Sequence, residues 1–214
     1  MSYLSQFVFV TGLASSLILV VLLGVSRFQG TVTIWPCPDH RSWQALTFWS
    51  LFRLANVSTI ITLAVSCAPG LFQSIPRLIA LAIGAACFIC YVLACLELGH
   101  KNLYGGTGGL KTQGIYRLSR NPQYATAIPG YLALAIAAYS ASALTLSALL
   151  SVAFWLMATL EEKWLDTAYG SAYARYRGSV PRFYNVGRFR AAARRTLSVA
   201  KRNGIRAVAL SGRE

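Results

Sequence analysis

Acidic side chains are scarce in this sequence. Its 214 residues hold six Asp and Glu, beside 20 Lys and Arg and two histidines. Charged residues make up only 12% of the chain, and 56% is hydrophobic. Soluble domains carry about a quarter of their residues as charges. Polar residues are therefore too few to cover the apolar surface of a soluble fold, and the same apolar excess excludes disorder. Metal ligands are too scattered for a cluster, since His40 and His100 stand alone. No metal is expected. The five cysteines (Cys37, Cys67, Cys87, Cys90 and Cys95) are an odd number and form no paired framework. Three of them share one apolar stretch, where Cys acts as a small hydrophobe.

The basic residues are bunched. Twelve of the 20 Lys and Arg fall in 161–214 and four in 100–123; Arg27, Arg41, Arg53 and Arg77 complete the set. Basic clusters flanking apolar spans follow the positive-inside rule. A basic surface for nucleic acid is the competing reading of such a charge, and position argues against it. The bilayer is the expected partner, and no nucleic acid.

The spans can be counted. Residues 4–25 carry no charge and are long enough to cross a bilayer, about 20 residues. No basic stretch precedes them, so a span is expected rather than a cleaved signal. A second span covers 43–67 and a third 75–99, with Ala68-Pro69-Gly70 as the turn between them. Residues 123–158 are apolar for too long to be one span. They read as two short helices turning at Tyr139-Ser140-Ala141-Ser142. Five spans put the basic loop 100–122 and the basic C-terminus on one side, as the orientation rule requires. The expectation is an all-α polytopic membrane bundle of about five transmembrane helices, with a C-terminal hairpin and cytoplasmic tail helices. One membrane domain covers 1–186. A basic cytoplasmic tail covers 187–214 and reads as a membrane-surface helix on anionic lipid or as disorder.

Polar groups gather at two places along the hairpin. Arg117, Arg120, Asn121 and Tyr124 cluster where its first helix begins, and Glu161 and Glu162 where its second helix ends. A hairpin brings its two ends together, and charges at a bilayer rim need partners. The result is either a structural Arg–Glu anchor or a mixed-charge pocket suited to a dipolar cofactor. Adjacent glutamates point about 100° apart on a helix, so the two carboxylates have different tasks. Arg53 lies about ten residues into the second span, where a lone charge is costly. It reads as snorkelling, as a structural partner of Glu97, or as a substrate-headgroup contact. The run Gly105-Gly106-Thr107-Gly108-Gly109 could cradle phosphate through backbone amides, but reads as a flexible lid or linker, because no strand or Walker pattern accompanies it.

The order Gly114, Tyr116, Arg120, Pro122, Tyr124, then Glu161-Glu162, then Gly170, Tyr173, Tyr176 and Pro181 resembles the isoprenylcysteine carboxyl methyltransferase and phospholipid methyltransferase superfamily of integral membrane enzymes. The resemblance covers about 70 residues. It implies S-adenosyl-L-methionine as cofactor, in a pocket shaped by Arg120, Asn121, Pro122 and Tyr124, with Glu161 or Glu162 meeting the cationic end. Gly99 and His100 would approach the cofactor from the end of the third span. It also implies a membrane lipid or prenylated acceptor, methylated on a carboxylate or amine at the cytoplasmic face. That describes a multi-pass protein, of the inner membrane if bacterial. Asn121 stands where this superfamily usually has His; an amide hydrogen-bonds but takes no proton near neutral pH. Sterol reductases have a related R-x-P-x-Y region, so an NAD(P)H-dependent reductase is the alternative enzyme. A non-enzymatic membrane scaffold is the alternative that Asn121 favours.

Overall fold

The computed structural model describes residues 3–184 apart from 31, 38, 40, 68–70, 105 and 107. The expected tail 187–214, the boundary at 186, the turn at 68–70 and two residues of the glycine run lie outside the described residues.

Apolar sequence becomes helix wherever turn residues do not interrupt it. The helices are α1 (Tyr3–Phe28), α2 (Trp43–Cys67), α3 (Ile75–Leu98), the single turn α4 (His100–Leu103), α5 (Pro122–Ala138) and α6 (Ala141–Ser179), and no strand appears among the described residues. Four of them, α1, α2, α3 and α6, are long and apolar enough to cross a membrane. The fifth expected span is α5, with 17 residues. At 1.5 Å per residue it reaches only about 26 Å, and it does not face lipid along its length: Tyr124, Ala127, Tyr131, Ala135 and Ala138 are all buried. It fills the space between α3 and α6. Gly130 makes this possible, since a Cβ there would come within 3.1 Å of the Cys87 Cβ.

The hairpin turns where the sequence places it. Tyr139 ends α5 in the left-handed conformation, φ 50°, and Ser140 caps α6. At the same end, Arg77 ties three helices together. Its Nε donates to the Ala137 carbonyl at 2.7 Å and its Nη2 to the Cys67 carbonyl at 3.1 Å. These carbonyls lie at helix C-termini, which lack intrahelical donors and carry partial negative charge.

The opposite end is more elaborate. There α6 continues well past the apolar bundle until it breaks at Gly170, where φ 49° and ψ −122° are outside helical geometry. After the break, residues 171–182 fold back against the loop before α5. The Tyr176 hydroxyl donates to the Tyr116 carbonyl at 2.6 Å, the Arg120 N–H to the Pro181 carbonyl at 2.9 Å, and the Ser119 hydroxyl to the Arg182 carbonyl at 2.9 Å. The loop 29–42 closes the same end, with Ile34 and Trp35 buried against Phe48. Burial pushes the Cys37 thiol in this loop up to about 11, so it stays protonated and inert at neutral pH.

Candidate functional site

The hairpin brings both ends of the motif into contact, and the two glutamates part company there. Glu162 is buried, 6% exposed, and surrounded by donors. Arg120 reaches its Oε1 and Oε2 at 3.2 Å, Asn121 Nδ2 donates to Oε1 at 2.7 Å, and Arg182 reaches Oε2 at 3.0 Å. The second amino group of Arg120 donates to the carbonyls of Arg177 and Val180. These donors cover both oxygens of Glu162, leaving it no free face for a ligand. Asn121, 1% exposed, caps α5 and offers its amide N–H to the carboxylate. The position therefore donates a hydrogen bond and exchanges no proton. Pro122, also buried, begins α5, where the missing N–H costs nothing.

Glu161 faces the other way. Its Oε2 accepts a hydrogen bond of 2.6 Å from the Tyr124 hydroxyl. No arginine pairs with it among the described ion pairs, which are Arg120–Glu162, Arg182–Glu162 and Arg177–Asp166. Two cavities meet at this carboxylate. The larger, about 110 Å³, lies among Trp35, Trp49, Phe52, Tyr91, Tyr124, Phe154 and Glu161, and carries no Lys or Arg among its lining residues. The smaller, about 30 Å³, lies among Asn102, Lys111, Tyr116, Arg120, Glu161, Trp164 and Tyr169. One is an aromatic chamber walled by α2, α3, α5, α6 and the loop 29–42. The other is a polar chamber under the loop.

Tyr116 supports this arrangement from the loop. Its hydroxyl donates to Gln123 Oε1 at 2.7 Å, at the foot of α5 beside Tyr124. Burial first, and then the negative charge of Glu161, push its phenol well above the usual tyrosine range. Gly114 turns the chain into this position with φ +55°, and the Ile115 N–H donates to Glu97 at 2.9 Å. Any side chain at 114 would collide with that glutamate.

The remaining expected residues fall elsewhere. Arg53 is exposed on the bundle flank, 5.8 Å from the Trp49 ring centroid, and makes no ion pair with Glu97. Arg117 turns outward to Gln113. Gly99 links α3 to α4 with φ 80°, and the exposed His100 packs at a tilt against Tyr104, ring centroids 4.7 Å apart. Neither lines the two cavities; Tyr104 does, on the larger one. Sequence reasoning missed Arg182 as the second guanidinium on Glu162, although it follows Pro181 of the motif directly. It also missed the chamber walls Trp49, Phe52, Tyr91 and Tyr104, for which the sequence carries no signal beyond aromatic content.

Residues 76–172 match the phospholipid methyltransferase family. No curated protein and no solved structure matches the chain. The matched segment contains nearly all of α3, the loop, α5 and the glutamate pair of α6, which supply most of the lining of both chambers; Trp35, Trp49, Phe52 and Tyr176 come from outside it. Over these residues, somewhat less than half of the chain, the sequence is thus similar to the phospholipid methyltransferase family, and the similar segment lies in a bundle with four helices long and apolar enough to cross a membrane.

Proposed function

We propose that the protein transfers a methyl group from S-adenosyl-L-methionine to an amine of a lipid-like acceptor at the cytoplasmic face of the membrane. The observation that carries this reading is the Glu161 carboxylate, without an ion pair among the described residues, at the junction of an aromatic chamber and a polar, loop-side chamber. S-adenosyl-L-methionine, when bound, supplies an electrophilic methyl on a positively charged sulfur. The polar chamber suits it: Asn102, Tyr116 and Lys111 offer hydrogen-bonding groups, Trp164 and Tyr169 offer rings for a purine, and Glu161 offers a counter-charge. Seating a ligand of that size needs the loop to move outward. That movement releases the hydrogen bonds by which Asn102 holds the Gly108 N–H and the Gly109 carbonyl.

The acceptor is assigned from charge. A carboxylate acceptor beside Glu161 would meet like charge and no guanidinium, because Arg120 and Arg182 are committed to Glu162. An ammonium head meets the opposite charge and faces of Trp and Tyr, which attract cations. Glu161 would take a proton from the ammonium, freeing the nitrogen lone pair to form a bond to the methyl carbon as the carbon–sulfur bond of the bound donor breaks and a neutral thioether leaves. The aromatic walls exclude water, which strengthens that attraction, and the two chambers hold donor and acceptor in line. The cytoplasmic assignment rests on the basic clusters that flank this end of the bundle.

The test uses the purified full-length protein in lipid nanodiscs with methyl-labelled S-adenosyl-L-methionine and a lipid extract. Label in an amine-bearing lipid is the expected result. Label confined to esterified carboxylates would refute the acceptor assignment. No binding of the cofactor would refute the whole reading.

A further inference from the structure

The larger chamber contains a buried polar group that the methyl-transfer reading leaves unused. Trp35 comes from the loop 29–42, outside the segment matched to the family. It is 4% exposed, stacked on Phe48 at 4.7 Å and edge-on to Trp49 at 6.0 Å. Its ring is fixed by these contacts and by the loop itself, where the Ile34 N–H donates to Ser26 Oγ at 3.1 Å. Its indole N–H is directed at the Glu161 carboxylate, yet does not meet it with the geometry of a formed hydrogen bond. A buried indole N–H normally finds a partner, and leaving one unmade costs roughly 1–3 kcal/mol. Four other buried side-chain atoms in the described residues share this condition (Ser16, Thr62 and Ser147 hydroxyls and the Tyr173 phenol), and none lines either chamber.

We infer that Trp35 recognises the acceptor: its indole N–H holds an oxygen of the acceptor headgroup while Glu161 engages the neighbouring amine. Indole is a donor only, so the partner must be an acceptor atom. A rigid donor beside a carboxylate on the wall of one aromatic chamber complements a head that presents an oxygen and an amine a few bonds apart. A plain alkylamine satisfies Glu161 and leaves the indole unpaired, and it is discriminated against for that reason. The inference rests on the methyl-transfer reading for its turnover measurement but not for its binding measurement.

The test compares two probes of equal length, 2-(dodecyloxy)ethylamine and pentadecylamine, which differ by an ether oxygen in place of one methylene. Wild-type protein in nanodiscs methylates the ether amine with kcat/KM about tenfold higher, the value of one hydrogen bond. Trp35→Phe keeps the ring and removes the donor, so the preference falls to near unity while S-adenosyl-L-methionine still binds. That retained affinity separates lost recognition from misfolding. Independently of turnover, the 15N-indole resonance of Trp35 shifts with the ether amine and not with pentadecylamine, while that of lipid-facing Trp155 shifts with neither. A Trp35 resonance blind to the ether amine, or a preference that survives in Trp35→Phe, overturns the inference. A selective shift without any turnover supports it and rejects the transfer reading alone.

Discussion

Tyr124 and Glu161 meet across the hairpin through a hydrogen bond of 2.6 Å, although 37 residues separate them in sequence. The contact holds one carboxylate at the junction of two chambers, while its neighbour Glu162 is consumed by Arg120, Asn121 and Arg182. Adjacent glutamates thus serve different ends, and their substitutions separate accordingly.

Glu161→Gln keeps a hydrogen-bond partner for Tyr124 and removes the charge. Methyl transfer falls by about 100-fold, the scale of losing one electrostatic contact to the reacting centre. The melting temperature stays close to wild type. A labelled-methyl assay beside a thermal melt in the same nanodiscs checks both halves.

Glu162→Ala acts on stability instead. The Arg120 side chain is 9% exposed and loses its counter-charge. Removing one partner of such a buried pair costs roughly 3–5 kcal/mol. Arg182, with its side chain 42% exposed, is screened by water, so Arg182→Ala costs about 1 kcal/mol or less. Denaturation midpoints of the two variants give the contrast. Equal losses would contradict the burial argument.

Gly170→Ala tests the break in α6. Nothing lies within 4 Å of an added Cβ, so the substitution acts through backbone strain alone. Holding an L-residue at φ 49°, ψ −122° costs about 1–3 kcal/mol. Straightening of α6 lifts residues 171–182 from Arg120 and Ser119. Faster limited proteolysis between 171 and 182, with an intact bundle, is the expected readout.

Tyr116 gives a pH signature. Its folded-state pKa lies above the ordinary tyrosine value, so its contribution to stability is fully present below about pH 10. It is lost as pH rises further, because the unfolded phenol ionises and the buried one does not. Melting temperature falls on that alkaline limb, and Tyr116→Phe makes the limb shallower. An identical limb in both proteins would show that Tyr116 is not the group responsible.

Much of the fold is legible in sequence because the bilayer imposes few solutions. Long uncharged runs such as 3–26 have only the helix available in lipid, and the turn at Tyr139–Ser140 follows from α5 and α6 being too long together for one span. The meeting of Arg120–Tyr124 with Glu161–Glu162 follows from the hairpin. The division of labour between the glutamates does not. A 100° rotation separates their side chains in any helix, but which one meets the arginines depends on how α6 is rotated against α5 and on the fold-back at Gly170. Arg182 reaches Glu162 only because of that fold-back.

By itself, then, the sequence determined a membrane bundle, its turns and the two polar ends that must converge, since apolar length and charge placement act locally. Packing in three dimensions places Glu162 under guanidinium groups, Glu161 between two chambers, and Trp35 from a distant loop beside it. The reason is that burial and pairing depend on helix rotation and loop docking, which are set by packing among residues far apart in the chain.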